Sequence, residues 1–373
     1  MNIAVNARML LKNKLEGIGW FSNEILKRIV KNHPEHKFYF IFDRSYDNSF
    51  IFAENIVPIV VRPPTRHPIL TYIWFQILIP KVLKKIKADL FLSTDGNISL
   101  YTKIPQINVI HDINFYHNPS QLPFFVEKYY NLFFPKFARK AQHLLTVSQY
   151  SKQDISKIYN IDENKITVCY NAAKSIYKPI EDSLKIEVKN KYTDGCDYFV
   201  FVGALNPRKN VCGLLKSFDI YKKNTNSNLK LIIVGSAMHL TKEIDKTYKT
   251  MYYKKEVIFT GRLELVDLHK VMASATALVY IPFFEGFGIP LVEAMACEVP
   301  IISGNTSSLP EVVGDAALLV DVSNYEQIAE NMKLITYNQN IRIDLKQKEK
   351  LQKEKFSWER SAEIMWDCIN FKF

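Results

Sequence analysis

Glu285-Gly-Phe-Gly-Ile-Pro-Leu-Val-Glu293 sets two carboxylates around a turn that contains two glycines and a proline. Gly286 and Gly288, on either side of Phe287, leave the backbone uncovered, so a ligand can approach its amides closely. Pro290 suits the first turn of a helix, which predicts free N–H groups over Ile289–Leu291. Such amides form an anion site, and a diphosphate is its natural occupant. Two carboxylates beside that site cannot bind the phosphate itself. They can accept hydrogen bonds from hydroxyls on either side of it, one from a sugar and one from a ribose. The plainer alternative is a glycine-containing helix entrance with two surface acids.

A second group is Gly203-Ala-Leu-Asn-Pro-Arg208-Lys209-Asn210, after the apolar run Phe199–Gly203. Arg offers a planar fork of donors and Lys a compact charge, a pair suited to a diphosphate, although a solvated basic loop would read the same way. Near the N-terminus, Glu16-Gly17-Ile-Gly19 opens the helical pattern Trp20–Ile29 and is a weak Gly-x-Gly signal. His111-Asp112 follows the strand candidate Ile107–Ile110, where a histidine could hydrogen-bond a sugar hydroxyl, act as acid or base, or serve only as a structural pair with the aspartate. Ser148 and Ser151 read first as helix caps.

The elements that must position these residues are short apolar runs alternating with amphipathic stretches, the pattern of parallel sheets covered by helices. Strands are expected at Asn2–Ala7, Phe38–Phe42, Val57–Val61, Leu90–Ser93, Ile107–Ile110, Leu144–Val147 and Ile166–Cys169 in the first half. In the second half they are expected at Phe199–Gly203, Leu229–Val234, Val257–Thr260, Ala277–Ile281, Pro300–Ser303 and Ala317–Val320. The polar stretch Lys174–Cys196 reads as a linker, and Phe356–Phe373 as a final helix. The length of 373 residues suits two domains, 1–175 and 176–356, followed by the helix 357–373. Two such halves imply parallel sheets facing a cleft, with ligands at the carboxyl ends of the strands.

Composition excludes several classes. Five scattered cysteines without CxxC or His-paired spacing argue against a zinc site or a disulfide framework and fit a reducing compartment. No Asp-x-Asp occurs, so no metal and no cofactor are expected. The N-terminus lacks a signal peptide's apolar core, and the longest apolar run, Ile69–Ile79, falls short of a membrane span. Residues 1–180 carry 24 Lys and Arg against 13 Asp and Glu, while residues 181–373 carry 25 of each, so the whole formal excess of +11 lies in the first part. That asymmetry points to anionic neighbours or to a solvated basic surface.

Taken together, these motifs resemble glycosyltransferase family 4, retaining enzymes of the GT-B fold, over essentially the whole chain. The carriers are the Glu-x7-Glu pair Glu285 and Glu293, Gly203 with Arg208 and Lys209, the Gly17/Gly19 loop, His111-Asp112, VSQYSKQDI, and SSLPEVVGDAALLVD from Ser307 to Asp321. The Ser307–Asp321 motif, with LNPRKN and HDINF, looks closest to bacterial mannosyl- and rhamnosyltransferases of surface polysaccharide synthesis. The resemblance implies that Arg208 and Lys209 hold the diphosphate, Glu293 the ribose and Glu285 the transferred sugar, with His111 near the reacting centre. It also implies donor contacts at Gly17, Gly19, Gly203, Gly286, Phe287, Gly288, Ile289 and Leu291. The first domain, with helix 357–373 crossing back onto it, would take the acceptor and the second the donor, a nucleotide diphosphate-sugar with GDP-mannose the first guess. Where many relatives have Asn-Gly before the linker this chain has Asn171-Ala172-Ala173, so Asn171 is given no role.

Two rivals are a sugar-nucleotide epimerase of the same fold, for which no acid/base set is marked, and a basic binding protein with a vestigial nucleotide site. Phe124–Lys140 interleaves aromatics with cations and could stack bases or lie at a lipid interface. The resemblance favours the membrane, so no nucleic-acid partner is expected. The expected location is cytoplasmic, with a possible peripheral position at an anionic inner membrane face near a saccharide or lipid-linked acceptor. Ile69–Ile79 with Trp74 and Phe75, followed by Lys81, Lys84, Lys85 and Lys87, would make that contact, unless the run is simply a buried helix or strand.

Overall fold

The computed structural model describes residues 1–236 and 242–370. It divides into two compact units: Met1–Asn171 with the segment from Ser357, and Ala172–Phe356. Each is built on one all-parallel sheet. The first contains β1 (Asn2–Asn6), β2 (Lys37–Phe42), β3 (Ile56–Val60), β4 (Leu90–Ser93), β5 (Gln106–Val109), β6 (His143–Thr146) and β7 (Ile166–Val168), in the order β3-β2-β1-β4-β5-β6-β7. The second contains β8 (Tyr198–Val202), β9 (Lys230–Val234), β10 (Val257–Gly261), β11 (Ala277–Tyr280), β12 (Ile301–Gly304) and β13 (Leu318–Val320), in the order β10-β9-β8-β11-β12-β13. The central runs become strands buried on both faces, so side chains pointing either way are covered, whereas the edge strands β3, β10 and β13 are only partly buried. All four residues of β4 are buried, as are Tyr198–Phe201 in β8.

Chain order reverses at one place in each sheet, between β1 and β4 and between β8 and β11. At such a switch point the loops after the two strands turn to opposite sides and leave room for a ligand. Register is tight there: Ile3 to Asn6 pair with Leu90 to Ser93, and Asn6 Nδ2 donates to Ser93 Oγ at 3.0 Å.

Three expectations are corrected. Lys174–Cys196 is not a plain linker, because Asp182–Thr193 forms a helix closed by Asp194 in the left-handed conformation. Only Val188 and Thr193 of that helix are buried, so it lacks the apolar stripe by which a helix is recognised in sequence. The first helix starts at Gly17 rather than Trp20 and runs to Asn32. Finally, Ile69–Ile79 does not offer its aromatic residues to a membrane. Trp74, Phe75 and Ile79 have no exposed surface, and Trp74 Nε1 donates to the Val61 carbonyl at 2.8 Å. Ile69 and Ile77 are exposed, as are Lys81, Lys84, Lys85 and Lys87.

Phe124–Lys140 is one helix that buries Tyr129, Phe134, Phe137 and Ala138 and exposes Phe124, Phe125 and Leu132. The final helix, Trp358–Asn370, lies on the Gly17–Asn32 helix, where Phe21 meets Trp358 edge to face and Arg28 pairs with Glu359 at 2.7 Å. Residues 371–373 of the expected final helix lie outside the described residues. No helix among the described residues is long and apolar enough to cross a membrane, and none of the five cysteines forms a disulfide.

Candidate active site

The β8/β11 switch point gathers most of the residues singled out above. Gly203 leaves β8, its amide donating to the Val234 carbonyl at 2.9 Å. The loop then tightens into a single turn, Pro207–Lys209, capped by Asn206, whose Oδ1 accepts from the Lys209 amide at 3.2 Å. Asn210 adopts the left-handed conformation (φ 53°). Its Nδ2 donates to the carbonyls of Ile281 (3.1 Å) and Val322 (2.8 Å), stitching this loop to the exit of β11. Arg208 and Lys209 thereby reach the Pro282–Gly288 loop. The Phe283 amide donates to the Arg208 carbonyl at 2.9 Å, and Arg208 Nη1 to the Phe284 carbonyl at 3.3 Å.

Both cations meet Glu285. Lys209 Nζ is in direct contact with Glu285 Oε1, and Arg208 Nη1 lies 3.4 Å from Oε2. Tyr280, the last residue of β11, completes the group: its hydroxyl accepts from Lys209 Nζ at 2.7 Å and donates to Glu285 Oε1 at 3.1 Å. Burial opposes the charge on Glu285, yet Arg208 and then Lys209 hold its pKa below the usual carboxylate range. The backbone of Glu285 is fixed as well. Its amide donates to Ser307 Oγ and its carbonyl accepts from Ser308 Oγ, both at 2.9 Å, which gives the Ser307–Asp321 motif a structural task.

Beyond Glu285 the chain passes Gly286 and Phe287, both buried, and turns at Gly288. Gly288 has φ 93°, and a Cβ there would lie 3.0 Å from both Leu291 and Leu309, so only glycine makes this helix entrance without strain. The expectation of free amides over Ile289–Leu291 needs correction. Pro290 has no N–H, and the Leu291 amide donates to the Gly288 carbonyl at 2.9 Å, because the left-handed turn aims that carbonyl back along the helix. Among the described residues, the amides of Gly288 and Ile289 have no intramolecular acceptor.

Glu293 sits one turn into the Ile289–Ala296 helix, 5% exposed. Burial raises its pKa to about 7, against smaller downward pulls from Lys174 and from Tyr177. The Tyr177 hydroxyl is buried and makes no hydrogen bond of normal geometry. Glu293 is thus a carboxyl group without a cation in contact, unlike Glu285.

In the first unit, Gly17 and Gly19 lie in the first turn of their helix rather than in a loop. A Cβ on Gly19 would come within 2.9 Å of the Met9 carbonyl, a close-packing reason for glycine that stands whether or not a ligand binds there. His111 leaves β5 partly buried, with Nε2 2.9 Å from the Thr94 carbonyl. A carbonyl only accepts, so Nε2 carries the proton and Nδ1 is the bare acceptor. Burial lowers the pKa of His111, which favours that neutral form. Thr94 is itself tied through its hydroxyl to Ser22 (2.6 Å), which donates to the Ile18 carbonyl at 2.8 Å. Ser148 caps its helix by accepting from the Ser151 amide at 3.0 Å.

Sequence reasoning passed over Tyr280, Asn206 and Asn210. A tyrosine at the carboxyl end of a buried strand was the available signal, since its hydroxyl must find a partner. Among the described residues no group of three or more His, Cys, Asp or Glu side chains is placed to hold a metal ion.

Two family models match the chain: Glycosyltransferase Family 4 over residues 17–174 and Glycosyl transferases group 1 over residues 182–352. The chain is 30% identical over 288 residues to the O-antigen chain mannosyltransferase RfbU of Salmonella typhimurium, covering 76% of each protein. It is 29% identical over 254 residues to the O-antigen chain mannosyltransferase B of Escherichia coli, covering 68% of this chain and 67% of that one. Anabaena HepE, solved in complex with UDP-glucose, shares the fold with a TM-score of 0.75 at 17% identity, over 99% of both chains. A charge cluster at the switch point of a parallel sheet, two matching family models and this level of identity to RfbU lead to one conclusion: the chain is a glycosyltransferase of the GT-B fold and belongs to glycosyltransferase family 4.

Proposed function

We propose that the protein transfers a hexose, mannose first, from a nucleotide diphosphate-sugar such as GDP-mannose to a saccharide or lipid-linked saccharide acceptor, with retention at the anomeric carbon and without a metal or other cofactor. The observation that carries the reading is the cluster of Arg208, Lys209, Glu285 and Tyr280 between the β8 and β11 exits, beside the open amides of Gly288 and Ile289. The names of the two O-antigen mannosyltransferases support the choice of sugar.

When the sugar–diphosphate bond breaks, its electron pair passes to the phosphate oxygen. Arg208, Lys209 and the two amides are fixed positive groups suited to that charge, the task a metal performs elsewhere. Glu285 accepts hydrogen bonds from hydroxyls of the transferred sugar, and Glu293 from the ribose. The acceptor oxygen attacks the anomeric carbon on the face the leaving group has vacated, and its proton passes to the departing phosphate. In the first unit, His111 offers its bare Nδ1 to a hydroxyl.

The test is a panel of nucleotide sugars followed by thermal shift and slow donor hydrolysis, with the anomer of the transferred sugar read by NMR. One donor is expected to raise the melting temperature and to be hydrolysed, with or without chelator. A panel in which no nucleotide sugar stabilises the protein or is cleaved overturns the reading.

A further inference from the structure

The two candidate phosphate cations hold an anion that belongs to the protein itself. Glu285 spans them, Oε1 on Lys209 and Oε2 3.4 Å from Arg208 Nη1. Tyr280, which has no exposed surface, bonds both partners of the closer contact, at 2.7 and 3.1 Å. Ser307 and Ser308 anchor the backbone of Glu285 on either side, so the carboxylate is not carried on a loose segment.

A carboxylate in this place treats two related ligands differently. In a nucleotide sugar the distal phosphate is esterified, and the sugar beyond it presents hydroxyls. In a free nucleoside diphosphate that phosphate bears a further ionisable oxygen, largely charged at neutral pH, and no hydroxyls. Glu285 can accept from the hydroxyls, whereas it repels the extra charge. Resting on the donor-site reading above, we infer that Glu285, held on Lys209 by Tyr280, is a specificity-determining counter-anion that makes the site favour a sugar-capped diphosphate over a bare one. The same repulsion hastens departure of the nucleoside diphosphate once the sugar has left, and so limits inhibition by that product.

Calorimetry on the full chain tests this with inorganic pyrophosphate, which needs no choice of base, and with GDP against GDP-mannose. Glu285→Gln keeps the shape and removes the charge. It is expected to bind pyrophosphate and GDP at least about tenfold more tightly than the wild type, while GDP-mannose gains less or loses affinity. Lys209→Ala is expected to weaken all three. Tyr280→Phe is the second arm should Glu285→Gln fold poorly: it loosens the carboxylate without changing any charge, so a smaller tightening toward pyrophosphate is expected. If Glu285→Gln or Tyr280→Phe leaves pyrophosphate affinity unchanged or lower while Lys209→Ala weakens it, the counter-anion role is wrong and the donor-site reading survives. If Lys209→Ala changes nothing, or pyrophosphate and both nucleotides fail to bind the wild type, the donor-site reading falls with it.

Discussion

The two units carry comparable ion pairs at comparable places. In the first, Arg8, just past β1, contacts Asp95, just past β4; in the second, Lys209 from the β8 loop contacts Glu285 from the β11 loop. Both pairs bridge the switch point of their sheet, and both are largely buried, with side-chain exposures of 12% and 2% against 11% and 9%. The surroundings differ. Asp95 Oδ1 also accepts from the Asn97 amide (3.1 Å) and from Ser93 Oγ (3.3 Å), and Arg8 Nη1 donates to Thr65 Oγ1 at 2.9 Å. Burial works against the charge on Arg8, yet Asp95 holds its pKa above the usual value. Asp95 is therefore locked by neutral donors in addition to its cation. Glu285 has one neutral donor, Tyr280 on Oε1, while among the described residues Oε2 meets only Arg208, at 3.4 Å, and two helix-entrance amides follow on the same loop. The same topology yields a carboxylate oxygen closed by two neutral donors in the first unit, and in the second one that meets a single cation at the edge of hydrogen-bond range.

The largest effect expected from this comparison is on stability. Asp95→Ala strands a buried guanidinium and should cost about 3 to 5 kcal/mol in denaturant unfolding, whereas Glu285→Ala should cost less than about half of that. Equal losses would erase the distinction. Activity should show the reverse order. Glu285→Ala is expected to lower kcat about 100-fold at saturating donor, because it removes a contact that strengthens in the transition state. Glu293→Ala, which would remove the proposed contact to the unreactive ribose, should act mainly on KM. Wild-type turnover in Glu285→Ala would reverse the two roles.

Glu293, where burial outweighs the pull of Lys174, also sharpens the contrast with the cationic setting of Glu285. Its pKa of about 7 lies above the ordinary 4.5, so the folded protein keeps a proton that the unfolded chain has released. The stability this contributes is complete below about pH 4.5 and is lost as pH rises through about 7. Glu349, whose carboxyl oxygens are both buried without partners, acts in the same direction. Under the proposed ribose role the ionised carboxylate is the stronger acceptor, so donor affinity should fall, by at most roughly tenfold, from pH 8 to pH 6. Glu293→Gln should flatten both profiles; a donor-binding profile that stays as steep in this variant would place the titrating group elsewhere. The smallest effect per residue concerns the first unit's surface. Lys81, Lys84, Lys85 and Lys87 are exposed, and each should contribute about 1 kcal/mol near anionic lipid. Co-sedimentation with anionic vesicles at low salt should weaken when they become glutamine. No binding by the wild type would leave the basic surface without a membrane role.

Among the described residues the thirteen strands were legible to within a residue at each end: the central ones are buried on both faces and must be apolar throughout, and the partly exposed edge strands β3, β7, β10 and β13 are still apolar in sequence. The helix Asp182–Thr193 was not legible, since most of its surface meets solvent. Trp74 and Phe75 were ambiguous for the opposite reason: apolar aromatics satisfy a core and a membrane equally, and only their neighbours decide. At the site, the Glu-x7-Glu spacing and the Arg-Lys pair marked the exits of β8 and β11, where Arg208, Lys209 and Glu285 meet. That Glu285 rests on Lys209, and that Tyr280 joins them, follows from β11 pairing beside β8, a contact between residues more than seventy apart in sequence. The Leu291 amide was misread because the conformation of Gly288, not its identity alone, decides where its carbonyl points.

The central claim is that Arg208 and Lys209 hold the diphosphate of a sugar donor. Its most direct test is calorimetric titration of GDP-mannose, or of the donor selected by the nucleotide-sugar panel, into the wild type and the Arg208→Ala and Lys209→Ala variants. Each variant should lose roughly 1.5 to 3 kcal/mol of binding free energy, the worth of one charge-assisted contact. Unchanged affinity in both variants would contradict the account.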